Sequence, residues 1–158
     1  MKQGTDVIIH ETAIIKRPEL VEMGSHVAID PFFYLTTAAQ FGDWVHINSH
    51  VSVIGGEESK LKIGNNVAIS TGCRLICRSN DFWSKKSSVP FMPVEKSFYG
   101  SFIEIQDEVV LGTNVVVLPN VIIGKGIAVG ANSLVKESII KPGLYVGSPV
   151  RYLGARYD

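Results

Sequence analysis

Over most of this chain every sixth residue is a large apolar one. Met23, Ile29, Leu35, Phe41, Ile47 and Val53 keep that spacing. After a slip of four the beat resumes at Ile63, Ile69 and Leu75, and after a long interruption at Ile105, Leu111, Val117, Ile123, Val129 and Val135. With 46% of the chain hydrophobic, fifteen apolar residues at fifteen positions arise by chance about once in 10^5. A second track lies four residues after the first: Val27, Phe33, Ala39, Val45, Val51, Val67, Cys73, Ser79, Val109, Val115, Val121, Ile127, Ser133 and Ile139. It breaks at Glu57, where the phase slips. Directly after the leading apolar residue come Gly24, Gly42, Gly64, Gly112, Gly124 and Gly130. Glycine there suits either a left-handed or a crowded backbone.

A period of six fits neither a 3.6-residue helix nor a hairpin array. It suits a short strand and a turn repeated around a three-sided coil, three hexads to a coil, each coil burying the faces of the next. The expected fold is all-β, a parallel β-helix forming a single domain over 1–158. Grouped in threes, Val53 and Leu75 both close the third face of their coils. The four extra residues lie within Gly55–Lys62, and the step from Leu75 to Ile105 contains 24 more. Both insertions therefore leave the same corner. The larger gives a loop at 80–102, and a C-terminal cap is expected at 140–158. Long loops projecting from a regular scaffold often carry function.

Composition excludes several functions. Fifteen acidic and fifteen basic residues give no electrostatic reason to bind nucleic acid or an anionic membrane. No apolar run approaches a membrane span, and Met1–Asp6 has no signal-like stretch. The expected compartment is the cytoplasm. Cys73 and Cys77 cannot make a four-ligand zinc site and read as reduced core thiols. No phosphate-binding glycine loop of the mononucleotide or dinucleotide kind is present.

The segments Ile63-Gly64-Asn65-Asn66-Val67-Ala68 and Ile123-Gly124-Lys125-Gly126-Ile127-Ala128 resemble the repeat of the bacterial hexapeptide-repeat acyltransferases. The resemblance runs from about Met23 to Arg151 and implies a left-handed coil. It further implies acetyl transfer from acetyl-CoA, with no metal, in a homotrimer whose active sites lie between subunits. Among these enzymes the chain looks like the sugar acetyltransferases, which carry a catalytic histidine where the loop leaves the coil. Here that position is Asn80, which cannot accept a proton near neutral pH. Asp81 follows it and is a candidate base if burial raises its pKa. His46 and His50, in the coil before the loop, are the other candidates, since histidine titrates near neutrality. The alternative for both is an outward residue at a turn or a subunit seam.

The resemblance also supplies a cofactor site. Pantetheine is expected against the backbone near Gly112 and Ala131. The coenzyme phosphates are expected near Lys136, Lys141 and Arg151, with Pro149 in the turn Gly147-Ser148-Pro149-Val150 that closes the family's last coil. The loop aromatics and prolines, Phe82, Trp83, Pro90, Phe91, Pro93, Phe98 and Tyr99, suit packing on a neighbouring subunit. Zinc chemistry of the γ-carbonic anhydrase type lacks its third histidine, since none follows Leu75. Asparagine in the histidine's place favours an amine acceptor, which is nucleophilic when neutral. The acceptor is thus expected to be a sugar or nucleotide-linked amino sugar of a surface-polysaccharide pathway, such as lipopolysaccharide. The alternatives are O-acetylation using His46 or His50 as base, and a non-catalytic scaffold.

Overall fold

A computed structural model describes residues 1–84 and 97–157. The loop residues Lys85, Lys86, Pro90, Phe91 and Pro93, and the final residue of the cap, lie outside the described residues. The chain winds into a left-handed parallel β-helix with three faces. Among the described residues, six coils each contribute one strand per face. In the fourth coil these are Lys60–Ile63 on the first face, Val67–Ile69 on the second and Arg74–Ile76 on the third. A further strand, Gly143–Val146, extends the second face, and Arg151–Gly154 folds back on it antiparallel.

The strand register measures the interruptions directly. Ala39 lies 18 residues after its partner Val21, and Val121 lies 18 after Ile103. Leu61 lies 22 after Ala39, and Ile103 lies 42 after Leu61. The excesses over 18 are 4 and 24, and both arise between the third face of one coil and the first face of the next. All fifteen residues of the leading track are buried. So is the second track from Val27 through Cys73 and from Val109 through Ser133, apart from Glu57 and Ser79. Ser79 is not a core residue. Its inward place is taken by Ile103 after the loop, as Leu61 replaces Glu57, because each insertion falls before the second-track residue. Each buried aliphatic contributes about 1.5–3 kcal/mol relative to exposure.

The corners explain the glycines and the polar residues. The residue three places after most leading apolar ones has positive φ: His26, Phe32, Trp44, His50, Gly56, Asn66, Gly72, Glu108, Asn114, Asn120, Gly126 and Asn132, with Ala38, Arg78 and Ser138 as the exceptions. The glycines directly after the leading residue have no such φ. They are there for space. A Cβ on Gly42 would stand 2.7 Å from the carbonyl carbon and oxygen of Gly64 in the next coil. At the first-to-second corner, side-chain oxygens then satisfy the backbone of the coil before. Thr5 N–H donates to Ser25 Oγ, Ser25 N–H to Asp43 Oδ1, Asp43 N–H to Asn65 Oδ1, and Asn65 N–H to Asp107 Oδ1, at 2.7–3.1 Å. Unsatisfied, these amides would weaken every coil junction. Among the described residues no helix is long and apolar enough to cross a membrane.

Candidate active site

The large loop leaves the third-to-first corner as an antiparallel ribbon, Ser79–Asn80 pairing with Phe98–Tyr99. Two cavities flank this ribbon. One of about 460 Å³ is lined by Thr36, Ile54, Gly55, Gly56 and Phe98, with Arg78 at its edge. The other, of about 550 Å³, is apolar, lined by Phe82, Trp83, Tyr99, Leu118 and Pro119, with Asp81. Ile76, Ser79 and Asn80 line both. Two coils further on, a third cavity of about 300 Å³ lies at the same corner, between Lys136–Ile139 and Pro149–Val150. The three form a track along one edge of the helix.

The Asn80 carboxamide makes no side-chain hydrogen bond among the described residues, so its donor and acceptor are available to whatever enters either cavity. Asp81 is held firmly. Its Oδ1 accepts from the Trp83 N–H at 3.0 Å, its Oδ2 from the Ser97 hydroxyl at 3.2 Å, and its own N–H donates to the Ser97 carbonyl at 3.1 Å. The histidines stand elsewhere. His46 projects outward from the second face, with Nε2 3.0 Å from Asp30 Oδ2. His50 occupies the second-to-third corner and stacks on Phe32 with ring centroids 4.8 Å apart. Within one protomer the third face separates them from Asn80 and Asp81, so the structure forms two groups rather than one.

No family model matches the sequence. The chain is 30% identical to the dTDP-4-amino-4,6-dideoxy-D-glucose acyltransferase of Escherichia coli, over 97% of its own length and 81% of that enzyme's. It belongs to the hexapeptide-repeat sugar acyltransferases. A point mutant of AntD, an N-acyltransferase from Bacillus cereus, solved with dTDP-4-amino-4,6-dideoxyglucose and coenzyme A, superposes with a TM-score of 0.92. The two share 31% identity over 99% of this chain and 84% of AntD. The putative lipopolysaccharide biosynthesis O-acetyl transferase WbbJ of Escherichia coli is 33% identical over 76% of this chain and 59% of its own.

In this acyltransferase the expected cofactor residues divide between places. Gly112 and Ala131 lie one above the other at the second-to-third corner, where a Cβ on Gly112 would stand 2.7 Å from Ala131 N. Lys136 and Pro149 line the third cavity of the track, and Lys136 Nζ is 3.2 Å from Glu137. Lys141 instead lies over the Tyr152 ring, 4.0 Å from its centroid, and Arg151 is exposed opposite Val146 on the returning strand. The cysteines are inert. Burial pushes the Cys73 thiol up to about 11 and the Cys77 thiol to about 12, which excludes a thiolate nucleophile near neutral pH. No cluster fit to hold a metal occurs among the described residues.

Sequence reasoning missed Arg78, Leu118 and Pro119 as lining residues. The 42-residue register points to the last two, since Ile76 and Cys77 advance by 42 to Leu118 and Pro119. Nothing comparable marks Arg78, whose place depends on the loop's return strand.

Proposed function

We propose that this enzyme transfers an acetyl group from acetyl-CoA to the amino group of a nucleotide-linked amino sugar, during synthesis of a surface polysaccharide. The observation that carries this reading is the unpaired Asn80 amide on the shared wall of both cavities, in a chain with no histidine after His50. A hydroxyl acceptor needs a base at that point. A neutral amine does not. The likeness to AntD and to the dTDP-amino-sugar acyltransferase, over nearly all of this chain, supports the same acceptor class.

The apolar cavity suits the acyl group and the thioester end of the coenzyme. The Lys136 cavity suits its phosphates, and the cavity beside Arg78 takes the sugar nucleotide. The Asp81 carboxylate attracts the amino group and aligns it. The nitrogen lone pair attacks the thioester carbonyl carbon, the Asn80 N–H donates to the oxygen as negative charge develops there, and the C–S bond breaks. The nitrogen loses one proton, and coenzyme A leaves as the thiol. We further propose a cytoplasmic homotrimer, because the exposed Phe82 and Trp83 rings (87% and 99% exposed) border the cavity and invite a neighbouring subunit. A monomer mass by light scattering at micromolar concentration contradicts that assembly.

The test is coenzyme A release on a panel of sugar nucleotides with matched amino and hydroxyl groups. Release confined to amino acceptors is expected, and none with any amino sugar nucleotide overturns the proposal. The contact of His46 Nε2 with Asp30 Oδ2, at 3.0 Å, favours a second reading. It has the form of an oriented base, and across a subunit boundary it can serve O-acetylation. Turnover of hydroxyl acceptors alone, abolished in His46→Asn, is the result that reading requires.

A further inference from the structure

The four-residue insertion and the large loop meet at one ion pair. Arg78 Nη1 donates to Glu58 Oε2, and the guanidinium lies over the Phe98 ring, 4.4 Å from its centroid. The two partners are unlike. The Arg78 side chain is only 23% exposed and is backed by the ring, whereas the Glu58 side chain is 71% exposed on a short excursion from the coil. Phe98 is itself the ladder partner of Asn80, so the ribbon that positions Asn80 also positions the arginine. Arg78 is the one cationic side chain among the described residues lining the 460 Å³ cavity. The backbone cannot substitute for it, because the Gly55 and Gly56 N–H groups already donate to Thr36 Oγ1, at 3.1 and 3.4 Å.

We propose that Arg78 anchors the diphosphate of the sugar nucleotide and that Glu58 is an internal anion which the diphosphate displaces. A planar guanidinium fixed from behind presents its fork to a phosphate as readily as to a carboxylate. An exposed carboxylate on a short loop holds it weakly enough to be exchanged. The diphosphate carries more charge than Glu58, so the exchange favours the ligand and leaves the sugar beside Asn80. Glu58 meanwhile keeps the arginine aimed into the cavity and sets a threshold against weaker anions. This inference rests on the sugar-nucleotide reading above.

Calorimetric titration of dTDP, with coenzyme A as a second ligand, tests it on the intact protein. Arg78→Ala should weaken dTDP about tenfold or more while leaving coenzyme A affinity unchanged, the scale of losing one charge-assisted bidentate contact. Glu58→Ala should tighten dTDP roughly three- to tenfold, because the competing anion is gone. Since Glu58 is exposed and its removal leaves the coil intact, that variant keeps the test decisive if Arg78→Ala folds poorly. Equal dTDP affinity in wild type and Arg78→Ala overturns the anchor, and unchanged or weaker binding in Glu58→Ala overturns the displacement. Wild type that binds coenzyme A but not dTDP overturns the nucleotide reading, and this inference with it.

Discussion

Replacing Gly42 by alanine tests whether the glycine track exists for space. Gly42 sits between Gly24 and Gly64 in successive coils. The added methyl would lie 2.7 Å from both the carbonyl carbon and oxygen of Gly64, and 2.6 Å from Asn65 Oδ1. That last oxygen accepts the Asp43 N–H at 2.8 Å. Ordinary contact needs about 3.4 Å, so the seam between the third and fourth coils must open by about 0.7 Å, or the carbonyl and the cap must shift together. Overpacking of this kind costs about 1–3 kcal/mol. Alanine returns about 0.4–1 kcal/mol by restricting the unfolded chain, which leaves a net loss of about 1.3 kcal/mol at the middle of the two ranges. In a domain of this length that is a fall in Tm of about 3–5 °C. Gly154→Ala is the control, because a Cβ there meets nothing within 4 Å and no left-handed φ forbids it. It should be neutral or slightly stabilising. Thermal unfolding by circular dichroism reads both. A Gly42→Ala protein as stable as Gly154→Ala refutes the crowding argument.

Asn80→Ala should lower kcat by about 10^2 to 10^3, the usual cost of one donor to a developing oxyanion. Its Tm should stay unchanged, since the side chain holds no hydrogen bond among the described residues; equal loss of both would make Asn80 structural. Lys136→Ala should raise KM for acetyl-CoA more than it lowers kcat, because a phosphate contact is made alike in ground and transition states. A collapse of kcat at unchanged KM would remove the coenzyme from that cavity. Cys73 and Cys77 keep their protons in the folded state up to about 11 and 12, against an ordinary thiol value of 9.0. Between pH 9 and 11 the folded state therefore binds more protons than the unfolded one, and stability falls with pH by up to about 1.4 kcal/mol per unit for each thiol. Below pH 9 that contribution is fully present. Denaturant titrations of wild type and Cys73→Ala across this range should show the shallower alkaline loss in the variant, and identical slopes would refute it.

The inward stack was legible in the sequence because an apolar residue every sixth position has only one way to be buried. The phase of the second track was not legible across the insertions. Continuing the count from Val53 and Leu75 lands on Glu57 and Ser79, whereas the chain places its extra residues first and returns at Leu61 and Ile103. The glycines left two roles open, and the backbone chose crowding, giving the left-handed corners to residues such as Asn66, Asn114 and Asn132. Asparagine tolerates that conformation well. The presence of Phe32 and Trp44 at such corners has no counterpart in residue preference. Asn80 could be singled out because it stands where the resembling sugar acetyltransferases carry their histidine, and Asp81 because it follows. Arg78 could not, since its ring platform and its acidic partner come from Phe98 and Glu58, each twenty residues away in the chain. The expected cofactor residues separated because Gly112 and Ala131 come just after second-face strands, whereas Lys136 follows the third-face Val135 and Pro149 belongs to the closing turn beside it.

On the proposed mechanism an amine is acetylated without a histidine base. The decisive experiment is the pH dependence of kcat for the double variant His46→Asn, His50→Asn, with an amino sugar nucleotide and saturating acetyl-CoA. Activity within about tenfold of wild type is expected, with an acidic limb, shared by both proteins, that follows the pKa of the acceptor's own amine. A fall of about 10^2 to 10^4 with loss of that limb, the signature of a missing general base, would contradict it.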